Sequence, residues 1–177
     1  MEFINNVFEA VYKLIMLKAS DEARIRYLRK KGVKIGHSCR IKTVSFSTEP
    51  YLIEVGNHSR IANGTIFLTH DGAVNIFEGE LGGGVFGRIR IGNNVFIGNN
   101  CIVLLNTTIG NNCIIGAGSV VRGEFPEGSV ILGNPAKVIM KTAALKMLLR
   151  QNPGLVKTDH LPKAECTRLV KEHFGIT

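Results

Sequence analysis

Between Val85 and Val121 an aliphatic residue returns at every sixth position: Val85, Ile91, Ile97, Val103, Ile109, Ile115 and Val121. Glycine follows it at Gly92, Gly98, Gly110 and Gly116, and the string Ile-Gly-Asn-Asn begins at Ile91, Ile97 and Ile109. Four residues after each aliphatic come Ile89, Val95, Cys101, Thr107, Cys113 and Ser119, mostly small or β-branched. A period of six fits neither a helix, with a period of about 3.6, nor an alternating strand, with a period of about 2. It predicts a coil of short strands joined at corners, in which each aliphatic points inward and stacks on its equivalent in the next coil. Gly and Asn suit the corners because they tolerate φ > 0 better than other residues. An ordinary sandwich of strands would show alternation and uneven spacing instead.

The same texture begins earlier. Ile35-Gly36-His37-Ser38-Cys39-Arg40-Ile41 is a first hexad in a different phase, so residues 43–54 must hold an irregularity. Val55-Gly56, Ile61-Ala62 and Phe67-Leu68 then fall in phase with the main column. Residues 72–88 are glycine-rich and partly acidic, and are predicted to leave the coil at one corner and return at Val85. Long loops in compact domains often carry function. Gly82 to Gly87 satisfies the spacing G-x-G-x-x-G, but repeat sequence follows it where a dinucleotide fingerprint requires a helix.

Three segments are predicted: N-terminal helices over 1–32, a mainly β coil over 33–137, and C-terminal helices over 138–177. Phe3, Val7, Leu14 and Ile15 mark the first helix at three- and four-residue steps, interrupted by Asn5, Asn6, Glu9 and Lys13, so it cannot span a bilayer. It has neither the basic start nor the cleavage site of a secretion signal. Packing on the body is the simpler expectation; lying on a membrane surface is the alternative, favoured by Arg24, Arg26, Arg29, Lys30 and Lys31 nearby. Ser20-Asp21-Glu22 reads as a helix cap. Beyond Gly133-Asn134-Pro135-Ala136 a helix is predicted over Val138 to Arg150, and another over Lys163 to His173.

The formal net charge of +8 suits an anionic partner, whether a phosphorylated cofactor, an acidic glycan or a membrane, although a basic surface also serves solubility. No nucleic-acid motif is present. Cys39, Cys101, Cys113 and Cys166 form no C-x-x-C pair, and a reducing cytoplasm is the simplest home for them.

Val85-Phe86-Gly87-Arg88-Ile89-Arg90-Ile91-Gly92-Asn93-Asn94-Val95-Phe96-Ile97-Gly98, Ile115 to Val121 and Gly133-Asn134-Pro135-Ala136-Lys137-Val138-Ile139 run in an order that resembles the left-handed β-helix acyltransferases. That family includes acetyltransferases of galactosides, maltose, serine and antibiotics, and the O-acetyltransferases of bacterial surface polysaccharides. The resemblance implies a left-handed parallel β-helix and transfer of an acetyl group from acetyl-CoA, with a histidine as general base. His70, in Leu68-Thr69-His70-Asp71-Gly72, stands at the matching place. A sugar hydroxyl needs such a base, because it becomes a good nucleophile only as its proton is removed. Asp71 either orients that imidazole or shapes the turn.

For the cofactor, the resemblance points to Asn99 and Ala117. Ser119 lies close by, although its inward position suits packing. The family often carries Thr-Lys after Val-Val; Arg122-Gly123 stands there instead, so Arg122, Lys137 and Lys141 become the candidates for the CoA phosphates. His37 and His58 read as exposed corner residues, and no close histidine pair suggests a catalytic metal. The acceptor is expected to be a carbohydrate; a small molecule such as serine, or a scaffold without chemistry, are the alternatives. The resemblance also implies a homotrimer whose active sites lie between neighbouring chains.

Overall fold

A computed structural model describes residues 11–176 other than 13 and 78. The chain forms two compact units, one ending at Thr142 and the other beginning at Ala143. The first is a parallel β-helix with three walls. The first wall stacks Lys34–Ile35, Ile53–Val55, Ile89–Ile91, residues 107–109 and residues 123–125. The second stacks Arg40–Ile41, Arg60–Ile61, Phe96–Ile97, Ile114–Ile115 and Ser129–Gly133. The third stacks Phe46, Ile66–Phe67, residues 102–103 and residues 120–121. Strands as short as two residues could not persist alone. They hold here because they are hydrogen-bonded to neighbouring coils and fill a common interior.

That interior is the column the hexads predict. Ile41, Ile61, Ile97, Ile115 and Ile131 lie in line on the second wall, none more than 1% exposed. Burying one such side chain is worth about 1.5–3 kcal/mol. At the corners Asn94, Asn100, Asn106 and Asn112 take φ of 53–58°. Side-chain oxygens satisfy amides of the coil below: Asn57 N donates to Asn93 Oδ1 at 2.7 Å, and Asn93 N to Asn111 Oδ1 at 2.8 Å. The small inward residues at position four satisfy corner carbonyls. Ser59 Oγ donates to Gly92 O, Thr65 Oγ1 to Gly98 O and Cys101 Sγ to Gly116 O. No buried side-chain nitrogen or oxygen among the described residues lacks a partner.

Two departures from the hexad phase shape the molecule. Pro50–Leu52 forms a 3₁₀ turn in the expected irregularity, preceded by Ser47 with φ of 44°. The excursion then leaves at His70–Asp71 and returns at Val85–Phe86, and these four residues pair antiparallel as a stem. Within it Ala73–Phe77 forms a 3₁₀ helix. Val85 is therefore not part of the column; it is 44% exposed in the stem, and the inward column resumes with Ile89 and Ile91. The hexad phase survives because the loop adds a whole coil's worth of chain: Asn57 and Asn93 are neighbours 36 residues apart, whereas Asn93 and Asn111 are 18 apart.

The predicted helix from Val138 begins later. Ala136–Lys141 is a strand, antiparallel to Ser129–Gly133, and caps the open second wall. Pairing this sheet edge outweighs local helix propensity. Helix α1 (Asp21–Lys30) is capped by Ser20, whose Oγ accepts from Ala23 N at 3.3 Å. Its Arg24, 2% exposed, donates to Ile41 O and to the carbonyls of Met16, Leu17 and Ala19, and pairs with Asp21, which pins the helix to the coil. The expected helix over 2–18 lies largely outside the described residues; 14–18 are helical, with Met16 buried. Among the described residues no helix is long and apolar enough to cross a membrane. Helix α2 covers Thr142–Arg150, and in the second unit α3 covers Lys163–His173. His173 there meets Pro153 O at 2.7 Å.

Candidate active site

The two departures from the phase converge at one corner, where the third wall turns back to the first. His70 is carried out of the coil on the first residue of the stem, and the irregular segment 47–49 lies one coil away beneath it. His70 Nδ1 lies 2.9 Å from Glu49 Oε2 and 3.3 Å from Thr48 Oγ1. Thr48 Oγ1 also donates to Glu49 Oε1 at 2.7 Å, and Thr69 Oγ1 donates to Glu49 Oε2 at 2.9 Å. Ser47 Oγ accepts from Thr69 N at 3.2 Å, which ties the two segments together.

These contacts set the charge of the pair. The hydroxyl of Thr48 first, then His70 and Thr69, hold the Glu49 carboxyl down at about 2, against the burial that opposes ionisation. Glu49 is therefore an anion at neutral pH, and it accepts the Nδ1–H of His70. That fixes the tautomer in which Nε2 carries the free lone pair. The His70 side chain is 42% exposed and that of Glu49 17%, so the imidazole reaches solvent while its partner sits behind it.

Asp71 takes no part in this pair. Its Oδ1 accepts from Ala73 N at 2.9 Å, an Asx turn that starts the 3₁₀ helix. Of the two roles open to it, only turn-making has a contact behind it. Sequence reasoning missed Glu49: it precedes His70 by 21 residues rather than the 18 of a regular coil, because it lies in the irregular stretch where the period sets no register.

The residues expected to hold CoA lie elsewhere. Asn99 and Ala117 stack at the corner between the second and third walls, where Gly118 N donates to Asn99 O at 2.9 Å and Asn99 Oδ1 accepts from Asn63 N at 3.1 Å. Ala117 is exposed, but Ser119 is fully buried, its Oγ donating to Gly116 O at 2.7 Å and accepting from Gly133 N. The side chain of Ser119, grouped with the cofactor contacts above, thus faces the core. Lys137 pairs with Leu132, near the Ala117 corner, whereas Lys141 pairs with Ser129 at the other end of the same strand, about 13 Å away at 3.3 Å per residue. Arg122 is exposed where the third wall ends, on the His70 side.

Within one chain, then, His70 and the Asn99–Ala117 corner stand at opposite edges of the third wall. The other histidine pair, His37 and His58, makes a T-shaped ring contact at 4.9 Å at the remaining corner. Among the described residues no group of three or more His, Cys, Asp or Glu side chains is placed to hold a metal ion.

Known proteins share this architecture. The model of the bacterial transferase hexapeptide family, six repeats, matches residues 88–123. Protein CapG of Staphylococcus aureus is 47% identical over 136 residues, covering 73% of this chain and 78% of that protein. WbbJ of Escherichia coli K12, named as an O-acetyl transferase of lipopolysaccharide biosynthesis, is 55% identical over 53 residues, which span 30% of this chain and only 27% of that protein. Among solved structures, a galactoside acetyltransferase in complex with coenzyme A superposes with a TM-score of 0.52 at 22% identity, over 74% of this chain and 79% of the other. That likeness is one of fold, the left-handed β-helix.

Proposed function

Because the chain belongs to the hexapeptide-repeat bacterial transferases, an acyltransferase family, we propose that it moves an acetyl group from acetyl-CoA to a sugar hydroxyl, with His70 as general base and Glu49 as the carboxylate that positions it. The observation that carries this reading is the 2.9 Å contact between His70 Nδ1 and Glu49 Oε2. With Nδ1–H committed to the carboxylate, Nε2 takes the proton of the acceptor hydroxyl as its oxygen attacks the thioester carbonyl carbon. The C–O bond forms, the C–S bond breaks, and the proton passes from Nε2 to the departing CoA sulfur. The ionised Glu49 steadies the imidazolium between these steps, as the orienting carboxylate does in any such pair.

Two features support acetyl-CoA and a carbohydrate. A related fold is known with coenzyme A bound and acts on galactosides by name, and a relative is named for lipopolysaccharide O-acetylation. The exposed Arg122 and Lys137 suit the CoA phosphates.

The same reading extends to assembly as a homotrimer. The third wall turns Ile66, Ile102 and Val120 outward in a register column, Ile66 being 40% exposed. A second copy on that wall covers the column and sets its Asn99–Ala117 corner opposite His70 of the first. One polypeptide then supplies the base and its neighbour the cofactor-binding corner.

Thiol release from acetyl-CoA with a panel of pyranoside acceptors tests the assignment. His70→Ala should lower kcat about a hundredfold or more while CoA binding measured by calorimetry persists. Turnover near wild type would overturn it.

A further inference from the structure

Directly across the stem from His70 sits Phe86, its partner in the antiparallel register. The two rings stand 6.1 Å apart at 50°. Phe86 is 56% exposed, although phenylalanine is among the residues most often buried. The glycine beside it leaves room for the ring: a Cβ on Gly84 would lie 3.2 Å from Cε2 and 3.3 Å from Cζ of Phe86. The ring is thus held against the base, with its body open to solvent.

We propose that Phe86 is the platform on which the acceptor sugar lies, one C–H face of a pyranose resting on the ring and one hydroxyl reaching Nε2 of His70. The inference rests on the acetyl-transfer reading and names its acceptor class. A pyranose face of axial C–H bonds is apolar and carries partial positive charge, and the face of an aromatic ring carries negative charge. Contact between the two rings needs about 4 Å. A hydroxyl on the rim of the sugar then falls toward the imidazole, where proton transfer needs about 2.6–3.2 Å. The 6.1 Å separation accommodates both contacts at once. An amino acid acceptor would gain nothing from this surface, since neither its ammonium nor its carboxylate is matched by a hydrocarbon ring.

Saturation-transfer NMR on the full chain, with methyl glucoside, methyl galactoside and methyl 2-acetamido-glucoside as probes, separates this site from the chemistry. Wild type and His70→Ala should saturate most strongly the C–H protons of one sugar face. Phe86→Trp should keep that pattern, Phe86→Ala should lose it, and Gly84→Val, which displaces the ring without removing it, should weaken it. In turnover assays Phe86→Ala should raise the acceptor KM about tenfold, with a smaller change in kcat. The proposal is overturned if no pyranoside receives saturation from wild type, or if Phe86→Ala leaves both pattern and KM unchanged. Light scattering that shows Phe86→Ala alone to lose its assembly would also overturn it, making the ring a subunit contact. If the NMR pattern holds while His70→Ala still turns over, the acetyl-transfer reading fails and the platform stands.

Discussion

At the corner between the first and second walls, Asn57, Asn93 and Asn111 pass the same hydrogen bond from coil to coil. At the corner where the third wall returns to the first, no residue repeats. Ser47–Glu49, Thr69–Asp71, Asn106 and Arg122 occupy successive coils, and a stem of four paired residues leaves from among them. The first corner is a ladder of identical solutions to one packing problem. The second abandons the ladder and gathers an imidazole, a carboxylate and an exposed ring in its place. Repetition holds the prism together, and the break in it frees side chains from the repeat.

The contrast can be tested by placing like substitutions in both regions. The largest difference should come from truncating aliphatics that the hexad phase treats as equals. Ile115→Ala removes a fully buried side chain and should cost about 2–5 kcal/mol in denaturant unfolding. Val85→Ala, at a site 44% exposed, should stay within about 0.5 kcal/mol. Equal losses would put Val85 back in the column.

Glycines should divide the same way, with a smaller gap. A Cβ at Gly92 would meet Asn111 N at 2.8 Å, so Gly92→Ala must open two coils and should cost about 1–3 kcal/mol. Gly82, on the excursion, has nothing within 4 Å, and Gly82→Ala should be neutral within about 0.5 kcal/mol.

The two carboxylates beside the stem sharpen the comparison by rate rather than stability. Glu49→Gln should lower kcat at least about tenfold, yet less than the roughly 10⁴-fold supplied by the buried aspartate of a serine-protease triad, because this pair is partly exposed. Asp71→Asn keeps the Asx turn and should lose little. The pH dependence follows from the sign of the shift. The Glu49 carboxyl is lowered from 4.5 to about 2, so its stabilisation is complete above about 4.5 and disappears as pH falls through about 2. The gap in thermal stability between wild type and Glu49→Gln should therefore be widest near neutrality and close between about pH 5 and 2.

The smallest effect belongs to the ladder corner itself. His58 takes φ of 57°, where later coils place Asn94 at 53° and Asn112 at 56°. His58→Asn should leave activity intact and raise stability by a few tenths of a kcal/mol, visible as a small rise in Tm.

What could be read from sequence follows the same division. The coil was legible because every turn repeats one inward pattern, and Ile91 to Val121 fall where the period places them. Val85 misled because the excursion inserts a coil's length of chain, to which a six-residue phase is blind. His70 was found by resemblance, but Glu49 lies in the one stretch, 43–54, where the period gives no register. Its nearness is a tertiary fact, set by a 3₁₀ turn and a left-handed Ser47. The helix expected over Val138 to Arg150 starts only at Thr142, because Ala136–Lys141 answers to an unpaired sheet edge rather than to its own propensity. The last helix keeps its expected bounds, Lys163–His173.

The stem has a consequence for how such a protein can change. Asp71 and Val85 are register partners, so the chain between them begins and ends at the same place in space. Its length is nearly free: doubling a flexible loop adds only about 0.6 kcal/mol of closure entropy. The segment from Gly72 to Gly84 can be lengthened, shortened or exchanged as a cassette, with the prism beneath it unaware of the trade. Whatever that cassette contacts can then diverge by loop replacement alone, leaving the stem and the register of every coil where they were.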